Sequence, residues 1–182
     1  EKLDIIQMSL IDTWAATGAG AFALSENGLY TTEAWTVFMN DLSDHGVFTL
    51  SRWSSSAMND TGRSLSVAMA SLFNQDITTP RDHIILINSA NIATLVVAKS
   101  PFTEEQLAAI EKESIEKAFD IILMPGKPAP DTVLGELITA KSIGELYEIS
   151  EKQFFDVSPS SDMRPFFFNQ ARLSEPFEVA KM

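Results

Sequence analysis

The chain has 182 residues, 45% of them hydrophobic, with 13 Lys and Arg against 25 Asp and Glu for a net charge of −12. That length and composition suit one globular domain with a sizeable core, and the charge excludes a nucleic-acid partner, because no basic stripe is present to displace counterions from phosphates. The absence of cysteine excludes disulfides and thiolate metal sites, and no apolar run reaches the roughly 18 residues of a membrane span. The opening residues carry no signal-type apolar segment.

In chain order, the apolar run Leu3 to Met8 predicts a strand, followed by a long loop. Thr31-Thr32-Glu33 opens a helix through about Leu42, with Ala34, Trp35, Val37, Phe38 and Met39 at helical steps. Asp44-His45-Gly46 reads as a turn, and Val47 to Leu50 as a second strand. A helix is expected near Thr61 to Phe73, with Leu65, Ala68, Met69 and Leu72 on one face. Ile84 to Ile87 and Ile92 to Val97 are two strands joined by Asn88 to Asn91. That connection is too short for a crossover, so they pair antiparallel. Thr103 with Gln106 forms a capping box at the start of a helix through about Phe119. Ile121 to Met124 is a further strand. Short helices are expected near Asp131 to Ala140 and Ser142 to Ser150, the second with a Ser142/Glu145 box. From Phe154 onward the text is proline-punctuated and aromatic. Alternating strands and helices predict an α/β domain with a mostly parallel sheet and one antiparallel hairpin.

Gly18-Ala19-Gly20-Ala21-Phe22-Ala23 has the G-x-G-x-x-A form of a dinucleotide turn. Such a turn needs its first glycine at the strand end and a helix starting inside the motif. Gly18 stands ten positions after Met8, and Asn27-Gly28 would break any helix begun at Ala19. The string reads as a small-residue loop. His45 and His83 lack ligand partners at metal spacing, so no metal site is expected. Phe166-Phe167-Phe168 on an extended segment would point to both faces, which argues for burial against the domain rather than a membrane patch.

The stretch Leu3 to Trp53, with "SLIDTWAAT" from Ser9 to Thr17, and the later Ser158-Pro159 through Arg164-Pro165-Phe166-Phe167-Phe168, resemble the spermidine synthases. They are more similar still to the spermidine synthase-like domains of bacterial multi-pass membrane proteins. The resemblance implies the class I S-adenosylmethionine-dependent methyltransferase fold, a Rossmann-like sheet of seven strands whose last two form a hairpin. In it, Leu3 to Met8 takes the place of the fourth strand. Residues 1–125 are then the carboxy-terminal half of the α/β domain and 126–182 a helical and irregular extension packed on it. The cofactor turn and the ribose-binding acid would lie upstream of residue 1. S-adenosylmethionine or its decarboxylated form would serve the full-length protein, and no cofactor is expected for these 182 residues alone.

The resemblance also implies roles. Asp12 matches the aspartate that accepts the amine's proton, a task suited to a carboxylate near the sheet's carboxyl edge. Ser9 falls where a first aspartate would hold the donor's amino group, and Thr13 replaces a proline. Trp14 and Tyr30 flank the same loop and are candidates for an aromatic substrate wall, with core packing as the competing reading. The expected function is aminopropyl or methyl transfer to a small cationic amine-type acceptor. The alternative is a non-catalytic, ligand-sensing or assembly module of a membrane protein. The expected setting is a cytoplasmic domain of a bacterial inner-membrane protein. A homodimer through the Leu3 to Met8 edge is expected from that strand's two-faced apolar character.

Overall fold

A computed structural model describes residues 2–9, 26–54 and 59–172. Among these, strand β1 spans Leu3–Ser9, and residues 10–25 are outside the description. A single 3-10 turn, Gly28–Tyr30, leads into helix α1, Thr32–Asp41. Thr31 caps α1 by accepting a hydrogen bond from the Ala34 N–H at 3.2 Å, and Glu33 lies in the first turn, where the helix dipole favours an acid. Trp35 and Met39 point into the core, with the Trp35 ring 4.8 Å from that of Phe48 in an edge-on contact.

Leu42 is already extended, so strand β2, Leu42–Trp53, begins with no loop. The turn expected at Asp44 to Gly46 is therefore absent. These residues belong to β2 and form an irregularity in its pairing with β1: Leu3 is opposite Leu42, but Ile5 is opposite Val47. The extra residues are absorbed as a bulge. Gly46 permits it, since a Cβ there would lie 2.8 Å from the Leu3 carbonyl oxygen.

Helix α2, Asn59–Phe73, follows, then a 3-10 turn, Pro80–His83, with the His83 imidazole Nδ1 3.0 Å from the Ala98 carbonyl. Strands β3, Ile84–Ser89, and β4, Ile92–Ala98, form the hairpin, and the strands extend far enough to leave Ala90 and Asn91 as a two-residue turn. Helix α3, Glu104–Glu116, starts on a complete capping box: Thr103 Oγ1 accepts from the Gln106 N–H and Gln106 Oε1 from the Thr103 N–H. Strand β5, Asp120–Leu123, and helices α4, Val133–Ile138, and α5, Ile143–Glu151, complete the regular elements among the described residues. At α5 the Ser142 hydroxyl accepts from the Glu145 N–H, but the Glu145 carboxylate reaches the Lys141 N–H instead of closing the box.

The sheet order is β1-β2-β4-β3-β5. Only β1 and β2 are parallel; the β2–β4, β4–β3 and β3–β5 pairs are antiparallel, which corrects the expectation of a mostly parallel sheet. The cause lies in the hairpin. The α2 crossover brings β3 back in the same direction as β2, but the tight turn returns β4 into the gap between them. One would-be parallel neighbour pair becomes two antiparallel ones. β5, delivered by α3 on the far side of β3, adds a third.

Met8, Phe48, Leu50, Leu86, Leu95 and Val97 face α1 and α2 in one core. The one-sided pattern read for α2 is too narrow, because every residue from Thr61 to Leu72 is buried. It packs on α1 and β4 and is also covered by α4 and α5. The small residues Gly62, Ser64, Ser66, Ala68 and Ala70 allow that close approach from all sides. Leu134, Leu137, Leu146, Val157 and Phe167 join the same core, so the later part of the chain is built into the domain. β1 is an edge strand, with Met8 buried and Leu3 and Ile5 exposed.

Candidate functional site at the carboxyl edge of the parallel pair

In sheets built on parallel strands, ligands gather beyond the strands' carboxyl ends. Here that edge is marked by Ser9 at the end of β1 and by Ser51, Arg52 and Trp53 at the end of β2. Ser9 is exposed and stands opposite Ser51. Asp12 and Trp14, along with the Gly18 to Ala23 string, lie outside the described residues.

Tyr30 is placed, and its ring is fully buried. Its hydroxyl accepts a hydrogen bond from Arg52 Nη1 at 2.7 Å, and its ring lies 4.6 Å from that of Phe167 and 5.7 Å from that of Phe168. Tyr30 is thus part of the interior rather than an open substrate wall. Ser9 and Tyr30 are not brought together: β2 alternates, so Ser51 beside Ser9 points to one face and Arg52 beside Tyr30 to the other.

Arg52 is the residue the text did not single out. The signal was its inward register in the strand Phe48, Leu50, Arg52, where a charge must be partnered. Its guanidinium carbon sits 5.1, 5.6 and 4.7 Å from the ring centroids of Tyr30, Phe167 and Phe168, and its Nη2 lies 3.7 Å from Asp60 Oδ2. The aromatic faces replace part of the hydration that a buried cation loses.

The segment Asp156 to Gln170 straps this edge down. Arg63, from the first turn and a half of α2, donates through Nη1 to the carbonyls of Phe166, Phe167 and Asn169 at 3.1, 2.7 and 2.9 Å. Its Nη2 pairs with Asp156 at 2.9 Å. Asp156 also accepts from Ser150 Oγ at 3.1 Å and from the N–H and hydroxyl of Ser158, and Arg164 approaches it at 3.3 Å. On the α1 side, Thr31 donates to Asp162 at 2.6 Å, the Thr32 N–H and hydroxyl donate to the Ser160 carbonyl, and Asn27 N–H donates to Pro165 O. Gln170 donates to Asp60 at 2.7 Å. The Ser158 to Phe168 motif is therefore a fastening of the tail to the starts of α1 and α2.

Burial lowers the Arg63 pKa, opposed by the attraction of Asp156. For Asp156, burial alone would raise the pKa, but the Ser158 hydroxyl, the Arg63 charge, the Ser158 N–H and the Ser150 hydroxyl together outweigh it and hold the carboxyl below its ordinary 3.8. A depressed acid pKa adds stability that is present above the unfolded-state value and lost as pH falls through the folded-state value. Wild-type unfolding free energy is thus expected to drop below pH 3.8, and Asp156→Asn to flatten that part of the profile. Urea unfolding at a series of pH values checks this; identical slopes for the two proteins would refute it.

Among the described residues, no group of three or more His, Cys, Asp or Glu could hold a metal ion, and no helix is long and apolar enough to cross a membrane. Set against known proteins, the chain matches no family model, no curated protein and no solved structure.

Proposed function

We propose that the chain is the carboxy-terminal part of a spermidine synthase-like transferase domain, which in the full-length protein moves an aminopropyl or methyl group to a small amine. The observation that carries this reading is topological. β1 lies parallel to β2, separated by the α1 crossover, and the sheet continues into an antiparallel hairpin next to β2. This is the arrangement expected if β1 and β2 stand for the fourth and fifth strands of the resembled fold and β3 and β4 for its terminal hairpin. The chain then leaves β1 at Ser9 on the carboxyl edge, three positions before Asp12.

The described residues do not themselves form a cradle for S-adenosylmethionine or its decarboxylated form. The core side of the β2 carboxyl end is filled by Arg52, Tyr30, Phe167 and Phe168, and Ser9 offers the donor's amino group no carboxylate. Donor contacts are accordingly assigned upstream. What this chain supplies in the proposal is the Asp12 carboxylate, which takes the proton from the attacking amine and holds its positive charge.

That same filling, with Ser9 in place of an acid, favours the second reading of a non-catalytic ligand-sensing or assembly module. Incubating the full-length protein with either donor and a panel of small amines, followed by mass spectrometry, separates the two. An amine heavier by an aminopropyl or methyl group is the expected result. Donor binding without any such product would support the module reading.

A further inference from the structure

At the amino end of β2, where α3 also begins, the outer face of the sheet holds a recess. Val47 alternates with the core residue Phe48 and pairs with Ala98 of β4, so both side chains lie away from α1 and α2. Pro101, Phe102, His45 and Gln106 line the recess with them, around a volume of about 110 Å³. Its lining is fastened from three sides. The Ser100 hydroxyl donates to the Asp44 carbonyl at 2.6 Å, the Phe102 N–H donates to the Asp82 carbonyl at 3.0 Å, and the Thr103/Gln106 capping box fixes the start of α3. The recess lies about 20 Å along β2 from Trp53, at the far end of the strands from the points where residues 10–25 and 55–58 join them. Arg172 is bonded to Ser150 and Gln153 on the side of α5, across the sheet.

We infer that the recess is the anchor pocket for a basic segment of a partner protein, seating one leucine-sized side chain with Lys or Arg on either side of it. The size comes from the volume: a cavity of about 150 Å³ admits benzene, and this smaller one suits a branched aliphatic group. The charge comes from four exposed carboxylates next to the lining. Asp44 adjoins His45, Asp82 is bonded to Phe102, and Glu104 and Glu105 stand between Thr103 and Gln106. None of the four is paired with a cation among the described residues. Lys99 and Arg81, the cations beside Ala98 and Asp82 in the chain, are turned to Gln75 and to the Lys127 carbonyl. Because the acids come from β2, the turn before β3 and α3, cations flanking an anchor reach several of them, and a single small cation does not. Gln106 Oε1 is taken by the Thr103 N–H, and its Nε2 has no acceptor among the described residues, which leaves it to donate to a backbone carbonyl of the segment. The inference does not depend on the transferase reading.

Nuclear magnetic resonance titration of the 182-residue chain with acetyl-Lys-Lys-Leu-Lys-Lys-amide tests the pocket. Binding is expected, with the shifted amides centred on His45, Val47 and Ala98. Serine in place of the leucine should weaken it about 10- to 100-fold, the range for burying a leucine side chain. Glutamate in place of the four lysines should abolish it. In the protein, Glu104→Gln with Glu105→Gln changes only exposed side chains and should weaken binding about 2- to 5-fold, the range for surface charge pairs. Ala98→Met, which fills the recess, should remove the preference for leucine. If that variant loses the wild-type circular dichroism spectrum, the serine peptide and the glutamine variant decide. No binding, equal binding of the leucine and serine peptides, equal binding of the acidic peptide, or unchanged affinity in the glutamine variant would each overturn the inference. Shifts at the same amides when the chain alone is diluted would assign the recess to a second copy and overturn it too.

Discussion

Arg63→Ala is expected to lower the unfolding free energy by about 3–5 kcal/mol, the range for breaking a buried ion pair from one side. Arg63 is 3% exposed, and its Asp156 partner is buried with it. Removing the guanidinium leaves the carboxylate to Arg164, whose side chain is largely in solvent, and to neutral hydroxyls. It also strips the donor from three carbonyls of the strap, at Phe166, Phe167 and Asn169. Those carbonyls hold Phe167 in the core beside Tyr30 and Arg52, so the loss should spread to the carboxyl edge.

The companion variant, Arg63→Met with Asp156→Leu, removes both charges. It should recover part of the loss but not all, because the carbonyls of Phe166, Phe167 and Asn169 still lose the Arg63 donor. Chemical denaturation of wild type, Arg63→Met, Asp156→Leu and the double gives the coupling directly. A loss below about 1 kcal/mol for Arg63→Ala would mean that the strap does not depend on this residue.

Asp12→Asn is expected to reduce transfer turnover by the full-length protein about 10²- to 10⁴-fold, the range for removing a general base. The amide keeps the size and hydrogen-bonding reach of the carboxylate but cannot take the amine's proton. Donor affinity should change little, since the donor's contacts are assigned to upstream residues. If proton acceptance is the lost step, a pH profile should separate the variants: wild type should gain rate as the base ionises, and Asp12→Asn should lose that rise. Unchanged turnover would return Asp12 to a structural role in the segment after β1.

How much of this was legible in the text varied with the distance over which each interaction acts. The cap on α1 at Thr31 and the capping box of Thr103 with Gln106 involve partners three positions apart, and both read directly from residue type and spacing. The hairpin of β3 and β4 was likewise legible, since two apolar runs joined so closely have no room for a crossover. The bulge at Asp44 to Gly46 was not. Those residues have turn character, and only the pairing of β2 with β1 and the close approach of Gly46 to Leu3 hold them in the strand.

The candidate site divides along the same line. That the end of β1 carries Ser9, and that Asp12 follows three positions later, is a matter of sequence order alone. That Tyr30 is interior and that Arg52 is enclosed by three aromatic rings depends on contacts between distant segments. Thr31 meets Asp162 across 131 positions, and Arg63 meets Phe167 across 104. No periodicity records such a contact.

The sequence by itself determined the kinds of element, their order, the helix starts and the hairpin, because propensity, capping and turn chemistry act within a few residues. Only the tertiary structure decided the direction of the sheet's neighbours, the burial of α2 on every side and the role of the tail. β4 enters the gap between β2 and β3 because burying the apolar faces of all three strands against α1 and α2 leaves no unpaired edge between them. The tail is held because Arg63, once buried, must find its hydrogen-bond acceptors, and the carbonyls of Phe166, Phe167 and Asn169 with the Asp156 carboxylate are the groups within its reach.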